Sequence, residues 1–176
     1  MSFVHVVLVE PQIAPNTGSI IRLCANTGAE LHLVEPLGFA FDDARLRRGG
    51  LDYHEFADVT IHEDVAAARR ALTGRWFAFS AAATECYHDV RYERDDVLVF
   101  GTERTGLSSG VLADDRNHGT LTIPMRQESR SINLANAVSI VVYEAWRQRG
   151  FDGAGPRSQQ SPVAVEALAD TVELSD

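Results

Sequence analysis

Two periodicities alternate along this chain. Phe3 to Val9 is an apolar run of strand length, and the loop Glu10 to Gly18, with Pro11 and Pro15, bars its continuation. From Thr17 to Thr27 the residues Ile20, Ile21, Leu23 and Cys24 recur at helical spacing, Gly28 supplies the stop, and Arg22 falls near the start of that helix. Leu31 to Val34 predicts a second strand, completing a βαβ unit. An alanine-rich helix over 63–72, a strand over 75–80 and a strand over 97–101 follow, the last uninterrupted in its apolar character, as a buried parallel strand requires. A short helix ending at Leu112 and a strand from Leu121 to Pro124 come next. Strands separated by helices predict an α/β fold around a largely parallel sheet. Ligands in such sheets sit beyond the carboxyl ends of the strands, which places Ser80, Gly101 and the loop after Pro124 around one crevice.

The final helix, 134–149, carries the most information. Asn133 stands where an N-cap belongs, and Arg147, Arg149 and Gly150 mark the C-terminal end. Leu134, Val138, Val141 and Ala145 form one stripe, but Ala137, Ile140, Val142 and Trp146 carry apolar character around most of the cylinder. One sheet face cannot cover that surface. Either the helix is sandwiched within the monomer or its second face meets another subunit, and the second is favoured; Tyr143 and Trp146 are then interface or core residues rather than stacking platforms.

Composition narrows the setting. A chain of 176 residues with 45% hydrophobic residues suits one domain with a sizeable core. Cys24 and Cys86 have no paired spacing, which suggests a reduced, cytoplasmic protein. No signal peptide or membrane span is expected, since the run Val4 to Val9 is short and lacks a basic leader; nor is an accessory domain expected ahead of that first strand. The domain is expected to span residues 1–152, and 153–176, opening with GAGPRSQQSP and turning acidic, to be a disordered or peripheral tail. The net charge of −9 argues against nonspecific gripping of nucleic acid. All sixteen basic residues are arginine, planar forks suited to phosphate and carboxylate. Arg45, Arg47 and Arg48 form the one local cluster, on a short predicted helix within 42–55; they read equally as a solvated face or an RNA phosphate contact.

Several familiar sites are absent: a GxGxxG after the first strand, a Walker loop, a GxSxG elbow and any His/Cys metal spacing. The six histidines are scattered and read as surface or satisfied residues, and no metal is expected. Three loops rich in Asn, Arg, Glu, Ser and Gly remain. Asn16-Thr17-Gly18 with Arg22, then Gly101-x-Glu103-x-x-Gly106-Leu107, then Ile123-Pro124-Met125 through Ser131-x-Asn133-Leu134-x-x-Ala137, resemble in order the three motifs of the SPOUT superfamily, specifically its SpoU-type ribose 2′-O-methyltransferases. The resemblance runs over residues 3–152 and is strongest to the compact branch that acts on the wobble nucleotide of tRNA.

That resemblance implies a deep C-terminal trefoil knot, against the usual rule for connections, a sheet with helices on both faces, and a homodimer whose active site uses both subunits. It implies S-adenosylmethionine bound in the knot, against Phe79, Gly101, Ile123, Met125 and Ser131, and left as S-adenosylhomocysteine. The substrate implied is the anticodon stem-loop of tRNA, methylated on the 2′-hydroxyl of nucleotide 34. The alternatives are another tRNA or rRNA nucleotide, or a noncatalytic RNA-binding dimer. The residues implied in catalysis are Arg22, Asn16, Glu103, Ser131 and Asn133. An arginine stays protonated far above neutral pH and is a poor base on its own, so Arg22 is assigned to orienting the hydroxyl or stabilising the alkoxide or nearby phosphate. Asn16 either orders its loop or holds Arg22 or the ribose; Glu103 either caps the short helix that follows it or faces the crevice; Ser131 and Asn133 can cap as well as bind. Gly101 and Gly106 fit close approach to a ligand, or the geometry of their own turn.

Overall fold

The computed structural model describes residues 3–40 and 59–155. The Arg45, Arg47 and Arg48 cluster and nearly all of the expected tail lie outside those residues. Among the described residues seven strands, β1 (His5–Val9), β2 (Glu30–Val34), β3 (Val59–His62), β4 (Trp76–Phe79), β5 (Glu85–Cys86), β6 (Val97–Phe100) and β7 (Asn117–Thr122), form one sheet. Its order is β3-β2-β1-β6-β4-β7-β5, and all six pairings among the described residues are parallel. The interior strands β1, β4 and β6 are the apolar runs that the sequence marks. β3 and β5 are not predicted: they are edge strands, short and largely exposed, with little apolar signal.

Successive residues of a strand separate into two apolar clusters. Val6, Leu8, Leu31, Leu33, Leu98 and Phe100 join one with residues of the helices α1 (Ala14–Thr27) and α4 (Leu134–Gln148). Val7, Val9, Val34, Val97 and Val99 join the other, with Ala68 and Leu72 at the helix α2 (Val65–Ala71). Cys24 lies in the first cluster, where burial pushes its thiol up to about 12 and leaves it a neutral apolar group.

Two boundaries differ from expectation in ways that matter. α1 begins at Ala14 rather than Thr17, because Pro15 fits the first turn, where its missing N–H leaves no bond unmade. Arg22 therefore lies past the middle of the helix, not near its start, and is exposed. β7 starts at Asn117 and ends at Thr122, so Ile123, Pro124 and Met125 belong to the loop beyond the sheet. At the other end of α1, the Gly28 N–H donates to the Cys24 carbonyl at 2.9 Å.

α4 is capped as expected: the Asn133 side-chain oxygen accepts from the N–H groups of Ala135 at 2.9 Å and Asn136 at 3.3 Å. Its buried residues are Leu134, Ala135, Val138, Val141, Val142 and Ala145, while Ile140 and Tyr143 remain 36% and 46% exposed. Among the described residues an apolar strip of this helix thus stays partly exposed. Among the described residues no helix is long and apolar enough to cross a membrane.

Candidate active site

The carboxyl ends of β4, β6 and β7 open into a cavity of about 360 Å³, inside the range of roughly 300–1,000 Å³ of small-molecule sites. Phe79, Phe100 and Leu121 line it, with the two phenylalanine rings stacked at 4.5 Å and 9°. The loop 101–107 forms one wall, and Ile123, Met125, Ser131 and Ile132 form another. Phe79, Gly101, Ile123, Met125 and Ser131, separated by up to 52 positions, are therefore gathered around one space.

The wall 101–107 is a closed turn. Thr102 and Gly106 exchange both backbone hydrogen bonds, at 3.2 and 3.0 Å, and the Thr102 hydroxyl lies 2.7 Å from that of Thr105. A Cβ on Gly101 would stand 2.1 Å from the carbonyl carbon of Gly106 and 2.2 Å from the Leu107 nitrogen, so the turn can fold back only over a glycine. Gly106 has φ +70° and open space where a Cβ would point. The turn's own geometry thus accounts for both glycines.

Glu103 does not cap the short helix α3 (Ser109–Leu112); the Ser108 hydroxyl does, accepting from Val111 N–H at 3.3 Å. The Glu103 carboxylate instead reaches the start of α1, which has no side-chain cap from its own N-cap residue Ile13. It accepts from Gln12 N–H at 2.9 Å, Ile13 N–H at 3.0 Å and the Asn16 side-chain amide at 3.2 Å. The Asn16 carbonyl oxygen accepts in turn from the Asn133 amide at 3.0 Å. A carboxylate only accepts, so its presence fixes which way the Asn16 amide faces, and that orientation fixes Asn133 as donor. Three loops, around positions 16, 103 and 133, become one network, with Asn16 buried at its centre.

Arg22 is not among the residues that line the cavity. Six residues along a helix from Asn16, it lies roughly 9 Å further along the axis and about 120° round it. Ser80 lines the cavity, as its place at the carboxyl end of a strand implies; cavity-lining residues that the sequence reading missed include Thr102 and Arg104, and the cation beside Glu103 in GTERTG is the one that residue type alone could have flagged.

The model of the SpoU rRNA Methylase family matches residues 3–143. The chain belongs to that family. Among relatives of this SpoU methylase, the tRNA (cytidine(34)-2′-O)-methyltransferase of Escherichia coli K12 is 54% identical over 151 residues, covering 85% of this chain and 96% of the relative. The enzyme of the same name from Burkholderia cenocepacia HI2424 is 51% identical over 152 residues, covering 85% and 97%. A solved structure concerned with 2-OH methylation of C/U34 on tRNA superposes with a TM-score of 0.77 at 42% identity, over 85% of this chain and 92% of that one. The SpoU methyltransferase AviRb of Streptomyces viridochromogenes, solved with the cofactor AdoMet, gives a TM-score of 0.68 at 26% identity, over 85% of this chain and 58% of that one.

Proposed function

We propose that this chain transfers the methyl group of S-adenosylmethionine to the ribose 2′-hydroxyl of nucleotide 34, a cytidine or modified uridine, in tRNA. The observation that carries the reading is the gathering of the three family motifs at one cavity, by the Glu103–Asn16–Asn133 network. The relatives that act on cytidine 34 support the choice of nucleotide, and AviRb supports the cofactor. The cofactor, when bound, supplies an electrophilic methyl on a sulfonium. Phe79, Phe100 and Leu121 offer it an apolar floor, and the closed 101–107 turn and Ser131 offer polar and backbone atoms along the walls. Transfer then requires the hydroxyl oxygen in line with that methyl, a positioning task that can supply several kcal/mol of catalysis. Glu103, Asn16 and Asn133 hold the walls at a fixed spacing. As the oxygen–methyl bond forms, the sulfur–methyl bond breaks to leave the thioether of S-adenosylhomocysteine and the hydroxyl proton passes to solvent; Arg22 orients the ribose hydroxyl or stabilises its oxygen as that proton leaves.

In this reading the protein is a homodimer joined through helix 134–149. The exposed Ile140 and Tyr143 support it, and the lining of the cavity, which does not include Arg22 of the same chain, supports an Arg22 supplied across the dimer. The two apolar clusters support helices on both faces of the sheet, and the C-terminal segment threads a loop as a trefoil. Residues 1–152 form the methyltransferase domain, 153–176 a tail, and Arg45, Arg47 and Arg48 grip the anticodon stem-loop of a cytoplasmic tRNA. The test is methyl transfer from labelled S-adenosylmethionine to tRNA lacking wobble ribose methylation, with nuclease mapping. Label at 2′-O-methylated position 34, lost in Arg22→Ala, is expected. Label only at another nucleotide would overturn the substrate, and cofactor binding without label on any tRNA would overturn the tRNA reading.

A further inference from the structure

At the opposite end of the sheet, the register pairs His5 with Glu30 and Val7 with His32, so His5, Glu30 and His32 share one face across β1 and β2. Three of their lone-pair atoms converge. His5 Nδ1 lies 3.1 Å from His32 Nε2 and 3.3 Å from Glu30 Oε2, and His32 Nε2 lies 3.9 Å from that same oxygen. The point equidistant from three atoms so spaced is about 2.0 Å from each, which is the Zn–N and Zn–O bond length. We propose that His5 Nδ1, His32 Nε2 and Glu30 Oε2 bind a divalent transition-metal ion, zinc or one of like preference, at the amino ends of β1 and β2.

The surroundings are those of a ligand set. The other ring nitrogen of each histidine faces an outer partner: His32 Nδ1 is 3.1 Å from Nε2 of the buried His62, and His5 Nε2 is 3.8 Å from Asp95 Oδ1. A hydrogen-bonded outer partner such as His62 fixes the tautomer and ring orientation of a ligating imidazole, while Asp95, beyond direct hydrogen-bond reach, adds negative charge beside His5. Two imidazoles and one carboxylate select nitrogen-loving ions over calcium or magnesium. The histidines have side chains only 12% and 6% exposed, while Glu30 is 48% exposed and leaves an open side from which an ion and a fourth, water ligand can enter. Local motif spacing could not reveal the site, since strand pairing brings together residues 25 and 27 positions apart.

The site stands apart from the methyl-transfer cleft, at the other ends of the strands, so its test is independent of that reaction. The full chain, stripped with chelator, is titrated with Co²⁺ and with Zn²⁺, beside His5→Gln and Glu30→Gln. One Co²⁺ per protomer with visible d–d absorption is expected, absent in His5→Gln and at least about tenfold weaker in Glu30→Gln, with Zn²⁺ raising the thermal midpoint of the wild-type chain more than that of Glu30→Gln and leaving that of His5→Gln unchanged. Wild-type and His5→Gln proteins binding the ions equally would overturn the proposal. The three side chains would then form only a hydrogen-bonded chain ending at His62.

Discussion

Replacing Asn16 by aspartate changes almost no volume yet should damage the protein more than replacing it by alanine. Alanine removes two hydrogen bonds, one to Glu103 and one from Asn133, at about 1 kcal/mol each. The loss should be about 2 kcal/mol, because Glu103 keeps the Gln12 and Ile13 amides and Asn133 keeps its cap. Aspartate keeps the bond from Asn133 but sets a carboxylate 3.2 Å from the Glu103 carboxylate. Coulomb's law gives a repulsion between about 1 kcal/mol in water and about 5 kcal/mol at an effective dielectric of 20. Asn16 is buried and Glu103 half-buried, which places the repulsion near 3 kcal/mol and the whole loss near 4 kcal/mol. The assay is urea unfolding at fixed protomer concentration, at about pH 7.5 and again at about pH 5. The folded variant pair holds a shared proton more tightly than the unfolded chain does. Its stability therefore rises as pH falls, and the gap to Asn16→Ala should narrow at about pH 5. An aspartate variant as stable as the alanine variant at about pH 7.5, or one whose deficit ignores pH, would refute the network as an energetic unit.

Two further outcomes follow from the geometry. If Arg22 acts across the dimer, equal mixing of Arg22→Ala with a cleft-dead Gly101→Leu chain gives mixed dimers with one complete site. Random pairing then restores about a quarter of wild-type methyl transfer, whereas action within one subunit restores none; label counting after co-refolding decides. Gly101→Ala forces a Cβ against the backbone of Gly106 and Leu107, costing about 3 kcal/mol and most binding of S-adenosylhomocysteine by calorimetry. Gly106→Ala meets only left-handed strain of about 1 kcal/mol, so equal effects at the two glycines would sink this account.

Much of the architecture was legible because its signals are local. The Asn133 cap, the Gly28 stop and the apolar runs of β1, β4 and β6 each sit within a few residues of what they organise. β3 and β5 were not, since an edge strand such as Val59–His62 buries little and so carries little pattern. The candidate site came from resemblance in order of motifs, and that resemblance named residues without their partners. Glu103 illustrates the limit: a local window offers it the helix that follows, yet Ser108 takes that place and Glu103 serves amides about 90 positions earlier. His5, Glu30 and His32 show the same limit, since only the β1–β2 register unites them.

The position of β1 in the sheet bears on how the chain is made. β1 is fastened on one side to β2, within the first 34 residues, but on the other to β6, whose partner for His5 is Val97. As the polypeptide leaves the ribosome, β1 and β2 can pair early, while the far side of β1 offers unmatched N–H and C=O groups until residues 97–100 emerge. For most of synthesis the future centre of the sheet is an open edge, the kind of surface on which nascent chains associate. Pairing at such sequence separation is also slow, because loop closure precedes the gain from contact. The nascent protein is therefore most exposed to misassembly just before β6 is released, and a chain truncated ahead of Val97 would keep that exposure permanently.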